Sequence, residues 1–154
     1  SAGITSDARI LIDKARIVAQ QHRITYDSKP STESIVREVA DIKQQFTQYG
    51  GARPFAVSIM FAGIDDNPVL YTTDITGNYL KYKANVIGEN DEKIRRLLQE
   101  RYIEGLTAKE AVKLALDIFR EILGAEFSKD RFDIGIVENG KITKVSGKEI
   151  EKYI

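Results

Sequence analysis

The sequence predicts an α+β domain, helices packed over antiparallel sheets, and three observations carry that reading. In four segments apolar residues recur at steps of three and four, the mark of helices with one buried face. A nearly unbroken apolar run, Val57 to Gly63, lies between turn signals and reads as a strand. Two tight turns, Asp74-Ile75-Thr76-Gly77 and Asn139-Gly140, fold their flanks into hairpins. The resulting order is two helices, three strands, two helices, two strands and one helix. No linker, low-complexity stretch or internal repeat interrupts it, so residues 1–154 are expected to form a single domain.

The first helix carries Ile4, Ala8, Leu11, Ile12, Ala15, Val18, Ala19 and His22 on one face, with Ser6 or Asp7 as its cap. Asp27-Ser28-Lys29-Pro30 breaks it. Ser31 or Thr32 caps a second helix bearing Ile35, Val39, Ile42 and Phe46, and Gly50 closes it at a position that tolerates positive φ. Arg53 to Asp65 reads as a strand covered on both faces, because its apolar residues barely alternate. After the Asp65-Asp66-Asn67-Pro68 turn, Val69 to Thr73 and Tyr79 to Ile87 are the next two strands.

A third helix starts at Asn90 or Asp91 and carries Ile94, Leu97, Leu98 and Tyr102. Thr107-Ala108-Lys109-Glu110 is a capping box. It opens a fourth helix that Gly124 stops. Phe132 to Val137 and Ile142 to Val145 flank the Asn139-Gly140 turn. Ser146-Gly147-Lys148-Glu149 reads as a second capping box, opening a short terminal helix.

Bulk properties exclude several functions. Lysine plus arginine balances aspartate plus glutamate at 23 each, so no global field favours nucleic acid or an anionic membrane. There is no cysteine, which removes disulfides, thiolate catalysis and cysteine metal sites. No apolar run approaches the roughly 20 residues that span a bilayer, and no signal peptide pattern opens the chain. A cytoplasmic domain is therefore expected.

The stretch Gln44-Gln45-Phe46-Thr47-Gln48-Tyr49-Gly50-Gly51-Ala52-Arg53-Pro54-Phe55 runs into the apolar strand at an Arg-Pro-Phe corner. It is followed by Asp74-Ile75-Thr76-Gly77 and then Tyr82-Lys83-Ala84-Asn85-Val86-Ile87-Gly88. Together these motifs resemble the alpha-type subunits of the proteasome core particle, the archaeal ones above all. The resemblance runs from Ser1 to Ile154. It departs at Ala56, where the family usually has glycine, which puts close backbone approach at the corner in question.

The resemblance implies a sandwich of two antiparallel sheets between two helix layers. It also implies that this chain corresponds to the C-terminal two-thirds of such a subunit, without the gate segment, first helix and strands that precede Ala2-Gly3-Ile4. The strand edge left open is expected to recruit a partner or a complementary N-terminal piece. The implied role is non-catalytic: seven such subunits form an outer ring stacked on catalytic beta subunits, and the pore admits unfolded proteins. The implied partners are further alpha subunits in a homo-oligomeric ring, the beta subunits, and a regulatory ATPase or other activator. Activator tails dock between neighbouring alpha subunits, in a pocket whose edge would include Gly3 and Ile4. Gly50, Gly51, Arg53, Pro54 and Phe55 take the role of a structural corner, with Arg53 largely buried and bonded to backbone carbonyls or a carboxylate.

Catalysis has one alternative candidate. N-terminal nucleophile hydrolysis needs a terminal Thr, Ser or Cys whose own amine acts as base, with a lysine nearby. Ser1 is such a residue in kind, but Ser1-Ala2-Gly3 fits an internal run of the family, and the expected reading has no catalytic residue in this chain. A stand-alone interaction domain is the other alternative. His22, the only histidine, is expected in a core or interface; Asp65-Asp66 lacks a third ligand, and no metal or cofactor is expected. Arg95-Arg96 and Lys141 with Lys144 read as solvated faces. The Gly50-Gly51 pair lacks the spacing of a phosphate cradle.

Overall fold

The computed structural model describes residues 1–138 and 140–153. Asn139, the first residue of the last hairpin turn, lies outside the described residues. The chain divides into two compact units, 1–88 and 89–154, each with its own core. Both are α+β with antiparallel sheets, the class the sequence predicts.

The first unit contains strand β1 (Ala2–Gly3), helices α1 (Thr5–Tyr26) and α2 (Thr32–Gln48), and strands β2 (Val57–Ile64), β3 (Pro68–Thr73) and β4 (Tyr79–Tyr82). The four strands form one antiparallel sheet in the order β1-β2-β3-β4. Ala8 and Leu11 of α1, Val39 of α2, and Phe55, Val57 and Ile59 form its core. Side chains of this kind each contribute about 1.5–3 kcal/mol when fully removed from water.

Strand β2 is shorter than the 53–65 span and is buried on one face only. Val57 and Ile59 are buried under the helices, Ser58 and Met60 are half-buried, and Ala62 is exposed. The expectation of cover on both faces is therefore corrected: successive side chains alternate across the sheet, and both helices that contact β2 pack against the same face. Its ladder is also incomplete. Ile59 to Ile64 pair with β3 on one side, whereas β1 pairs only with Val57 and Ser58 on the other.

Strand β4 ends at Tyr82, well short of Ile87. Tyr82 lies opposite Leu70, so only Val69 and Pro68 remain beyond it, and proline has no N–H to extend a ladder. The first helix also starts differently. Ile4 takes the cap position with no side-chain cap bond, because Asp7 is drawn across to the corner described below. Ser31 does cap α2, accepting from Ser34 N. Past its end it is Gly51, at φ +84°, that takes the left-handed conformation, and not Gly50.

The second unit contains α3 (Asp91–Arg101), α4 (Ala108–Leu123), strands β5 (Asp133–Glu138) and β6 (Lys141–Ser146), and a terminal 3₁₀ segment, Gly147–Tyr153. The capping box at Thr107 and Glu110 is complete, with both reciprocal bonds made. Strands β5 and β6 form a two-stranded antiparallel hairpin in register from Asp133↔Ser146 to Glu138↔Lys141. Leu116, Val145 and Ile150 centre the core of this unit. The second capping box does not open an α-helix: Gly147 has φ +54°, outside the right-handed region a first helical residue needs.

Candidate functional site

The first unit concentrates its unusual chemistry where α1 leaves β1 and where the chain turns into β2. Ala2 and Gly3 pair with Ser58 and Val57, and Ile4 N donates to Ala56 O at 2.9 Å. One turn later Asp7, with its side chain 5% exposed, accepts both guanidinium nitrogens of Arg53 at 2.7 Å. It also accepts from Ala56 N at 2.9 Å. A planar fork meeting a carboxylate in this bidentate way is the strongest ion-pair geometry available to side chains. The Arg53 bonds and the Ala56 N–H hold the Asp7 carboxyl down at about 2, and the same pairing raises the guanidinium.

Arg53 also donates to Pro54 O at 3.1 Å, so it has the carboxylate and the carbonyl expected of it. It is not buried. Its side chain is 62% exposed, because the partner beneath it, Asp7, occupies the interior and leaves the outer face of the guanidinium in water. Phe55 supplies the buried part of the corner and packs against Phe46, the rings tilted by 58° with centroids 4.8 Å apart. Gly50, Gly51 and Pro54 are exposed.

The close backbone approach falls on Gly3 rather than on residue 56. A Cβ on Gly3 would sit 2.3 Å from Ala56 O, and its φ of +131° is itself foreign to other residues. Ala56 is exposed, which is why alanine is accommodated there. Gly3 and Ile4 are thus held against the corner by backbone bonds, with Ile4 partly exposed.

Behind the corner lies a residue that the sequence reading passed over. Lys43 of α2 is fully buried, and its ammonium donates to Thr73 Oγ1 at 2.7 Å, Val57 O at 2.9 Å and Asp74 O at 3.0 Å. Burial lowers its pKa to about 8, partly opposed by the charge of Asp74. The signal was present: Val36, Val39 and Ala40 are buried on this face, and Lys43 continues it at helical spacing. A cation in an apolar stripe has to find acceptors.

Two carboxylates of the sheet turns complete the frame. Asp65 accepts from Thr32 N at 3.0 Å and Thr32 Oγ1 at 2.8 Å, capping α2 from a distant loop. Asp74 accepts from Thr76 and Asn78, whose bonds outweigh burial and lower its pKa. Gly77, at φ +94°, brings that turn onto α2, where a Cβ would meet Ala40 O at 2.6 Å.

The remaining candidates are scattered. His22 is half-buried and rests against Tyr26 at 4.7 Å. Arg95 and Arg96 make surface pairs with Asp91 and Glu100, and Lys141 and Lys144 are exposed. Ser1 is exposed and makes no side-chain hydrogen bond among the described residues. No group of three metal-ligating side chains is found among them, and no helix is long and apolar enough to cross a membrane.

Comparison with known proteins now decides the family, because a model of the proteasome subunit family matches residues 1–137. The chain belongs to the proteasome subunit family. It is 38% identical to a proteasome subunit alpha of Pyrococcus horikoshii, over the whole of this chain and 60% of that protein. It is 36% identical to the proteasome subunit alpha of Archaeoglobus fulgidus, over 63% of it. The proteasome subunit alpha type-5 of Trypanosoma brucei brucei is 37% identical over 99% of this chain and 65% of its own length. The chain thus spans between 60% and 65% of the length of these three proteasome subunits.

Proposed function

We propose that this chain is a non-catalytic, alpha-type subunit of a proteasome core particle in the cytoplasm. In this reading it forms the outer ring with copies of itself, stacks on beta subunits, and gates the passage of unfolded proteins into the proteolytic chamber. The observation that carries the proposal is the match of the whole chain to proteins called proteasome subunit alpha.

The corner supports a scaffold role. Its charged groups are committed to one another and to backbone: Asp7 to Arg53 and Ala56, Lys43 to three oxygens. Such groups fix geometry and are not free for proton transfer. Gly50, Gly51, Arg53, Pro54 and Phe55 act here as a structural corner, and Gly3 with Ile4, pinned beside it, as the edge of a pocket for an activator tail. The half-covered face and open edge of β2 provide surface for assembly.

Co-expression with a beta-type subunit tests this directly. The expected result is a particle containing both chains whose peptide hydrolysis is unchanged by Ser1→Ala. Covalent labelling of Ser1 by a mechanism-based proteasome inhibitor would overturn the non-catalytic role and favour a terminal-nucleophile peptidase.

A further inference from the structure

The second unit holds a cavity that neither its core nor the proposed ring role uses. It measures about 220 Å³. That is below the roughly 300 Å³ at which pockets begin to suit drug-sized ligands, so only a very small molecule fits. Ile94, Phe119, Ile122, Leu123 and Phe132 form its apolar lining. The Phe119 and Phe132 rings pack with centroids 5.2 Å apart and make two of its walls. Glu89, Asn90 and Arg131 complete the lining. Glu89 and Arg131 carry opposite charges but do not pair with each other. The Glu89 side chain has no partner among the described residues, and Arg131 donates only to Glu126 O, at 3.1 Å. Asn90 is half-buried, and its side-chain amide makes no cap bond. That amide offers both a donor and an acceptor.

We infer that this cavity binds a free α-amino acid with an apolar side chain, leucine being the type case. The ligand carboxylate meets the Arg131 guanidinium, its ammonium meets Glu89 and the side-chain oxygen of Asn90, and its side chain enters the apolar lining. Two opposite charges that line one small cavity without closing on each other leave a gap, and a molecule bearing both charges bridges it. This selects the ligand class. An apolar acid would leave Glu89 without a partner, and an apolar amine would leave Arg131 without one. A residue inside a peptide would offer only neutral amides to both charges, and the volume leaves no room for its neighbours.

NMR titration of the isotope-labelled whole chain tests this with three probes: leucine, isocaproate (leucine without its ammonium) and isoamylamine (leucine without its carboxylate). Leucine is expected to shift the backbone amides of Asn90, Ile94 and Phe132. It should bind at least about tenfold more tightly than either analogue, since each analogue leaves one charge unmet. Glycine, with both charges but no side chain, should also bind at least about tenfold more weakly than leucine. Arg131→Gln should remove the advantage of leucine over isoamylamine, and Glu89→Gln its advantage over isocaproate. Both residues are exposed, and unchanged melting of each variant checks the fold. Should a variant not fold, the ranking of the probes on the unaltered chain decides alone. No shift at about 10 mM leucine, shifts confined to residues outside the cavity, or equal binding of leucine and either analogue overturns the inference. So does tighter binding of N-acetyl-leucine amide than of leucine, which would assign the cavity to a side chain of a peptide. The ring role proposed above rests on other observations, so each can fail without the other.

Discussion

Lys43 Nζ donates a 2.7 Å hydrogen bond to Thr73 Oγ1 at a point where both residues are wholly excluded from solvent. The same ammonium reaches Val57 O and Asp74 O, so one cation from α2 ties together the start of β2 and the end of β3. This is where the two strands are not yet joined by their own ladder, whose first pair is Ile59↔Thr73.

The staple makes stability depend on alkaline pH. The folded pKa of Lys43, about 8, lies below its ordinary 10.5, so the unfolded chain holds this proton more tightly than the native one. The cost of the buried charge is fully present below pH 8 and is relieved as pH rises from about 8 to 10.5. Stability from urea unfolding should therefore rise across that window relative to the variant Lys43→Met, which lacks the titration. At pH 7 Lys43→Ala should cost about 2–4 kcal/mol, since it opens a cavity and strands three acceptors.

At the acid end Asp7 acts with the opposite sign. Its folded pKa is lowered from 3.8 to about 2, so its contribution is present above pH 4 and is lost as pH falls to about 2. Asp7→Asn should flatten the fall in stability between those limits. Arg53→Ala should lower the melting temperature more than Asp7→Ala, because it leaves the buried Asp7 carboxylate without its counter-charge, whereas Asp7→Ala frees an Arg53 that is already in water and costs mainly the acceptor of Ala56 N.

Two glycines with positive φ should respond differently to alanine. Gly3→Ala meets Ala56 O head-on and should cost more than about 2 kcal/mol. Gly51→Ala, at φ +84° in open space, should cost only about 1 kcal/mol of backbone strain. Thermal melts of both single variants compare them.

Asp65→Ala should cost about 1 kcal/mol by uncapping α2 from the loop side, with Ser31 retained as the local cap. Hydrogen exchange localised to the first turn of α2 is the matching readout.

The helices were legible because their signals are local. Thr107 and Glu110 sit three residues apart, and the apolar steps of α1 and α2 need no tertiary context. The corner was legible as a motif, yet its geometry was not. Arg53 and its partner Asp7 are 46 residues apart, and nothing local says that the acid turns inward while the base stays wet. Asp65 capping α2 is hidden for the same reason, at 33 residues. The premature end of β4 was half visible: Pro68 was in the sequence, but only the register sets it near Tyr82. Gly147 was read as part of a cap, although its positive φ depends on how β6 ends.

Sedimentation velocity of the isolated chain at micromolar concentration tests its role as an assembly subunit most directly. Ile59 to Ile64 of β2 pair on one side only, Met60 and Ala62 carry an incompletely covered apolar face, and open apolar edges of this kind recruit strands. The expected result is a species heavier than one chain, shifting to smaller forms on dilution. A single sharp boundary at the mass of one chain, unchanged by concentration, would contradict it.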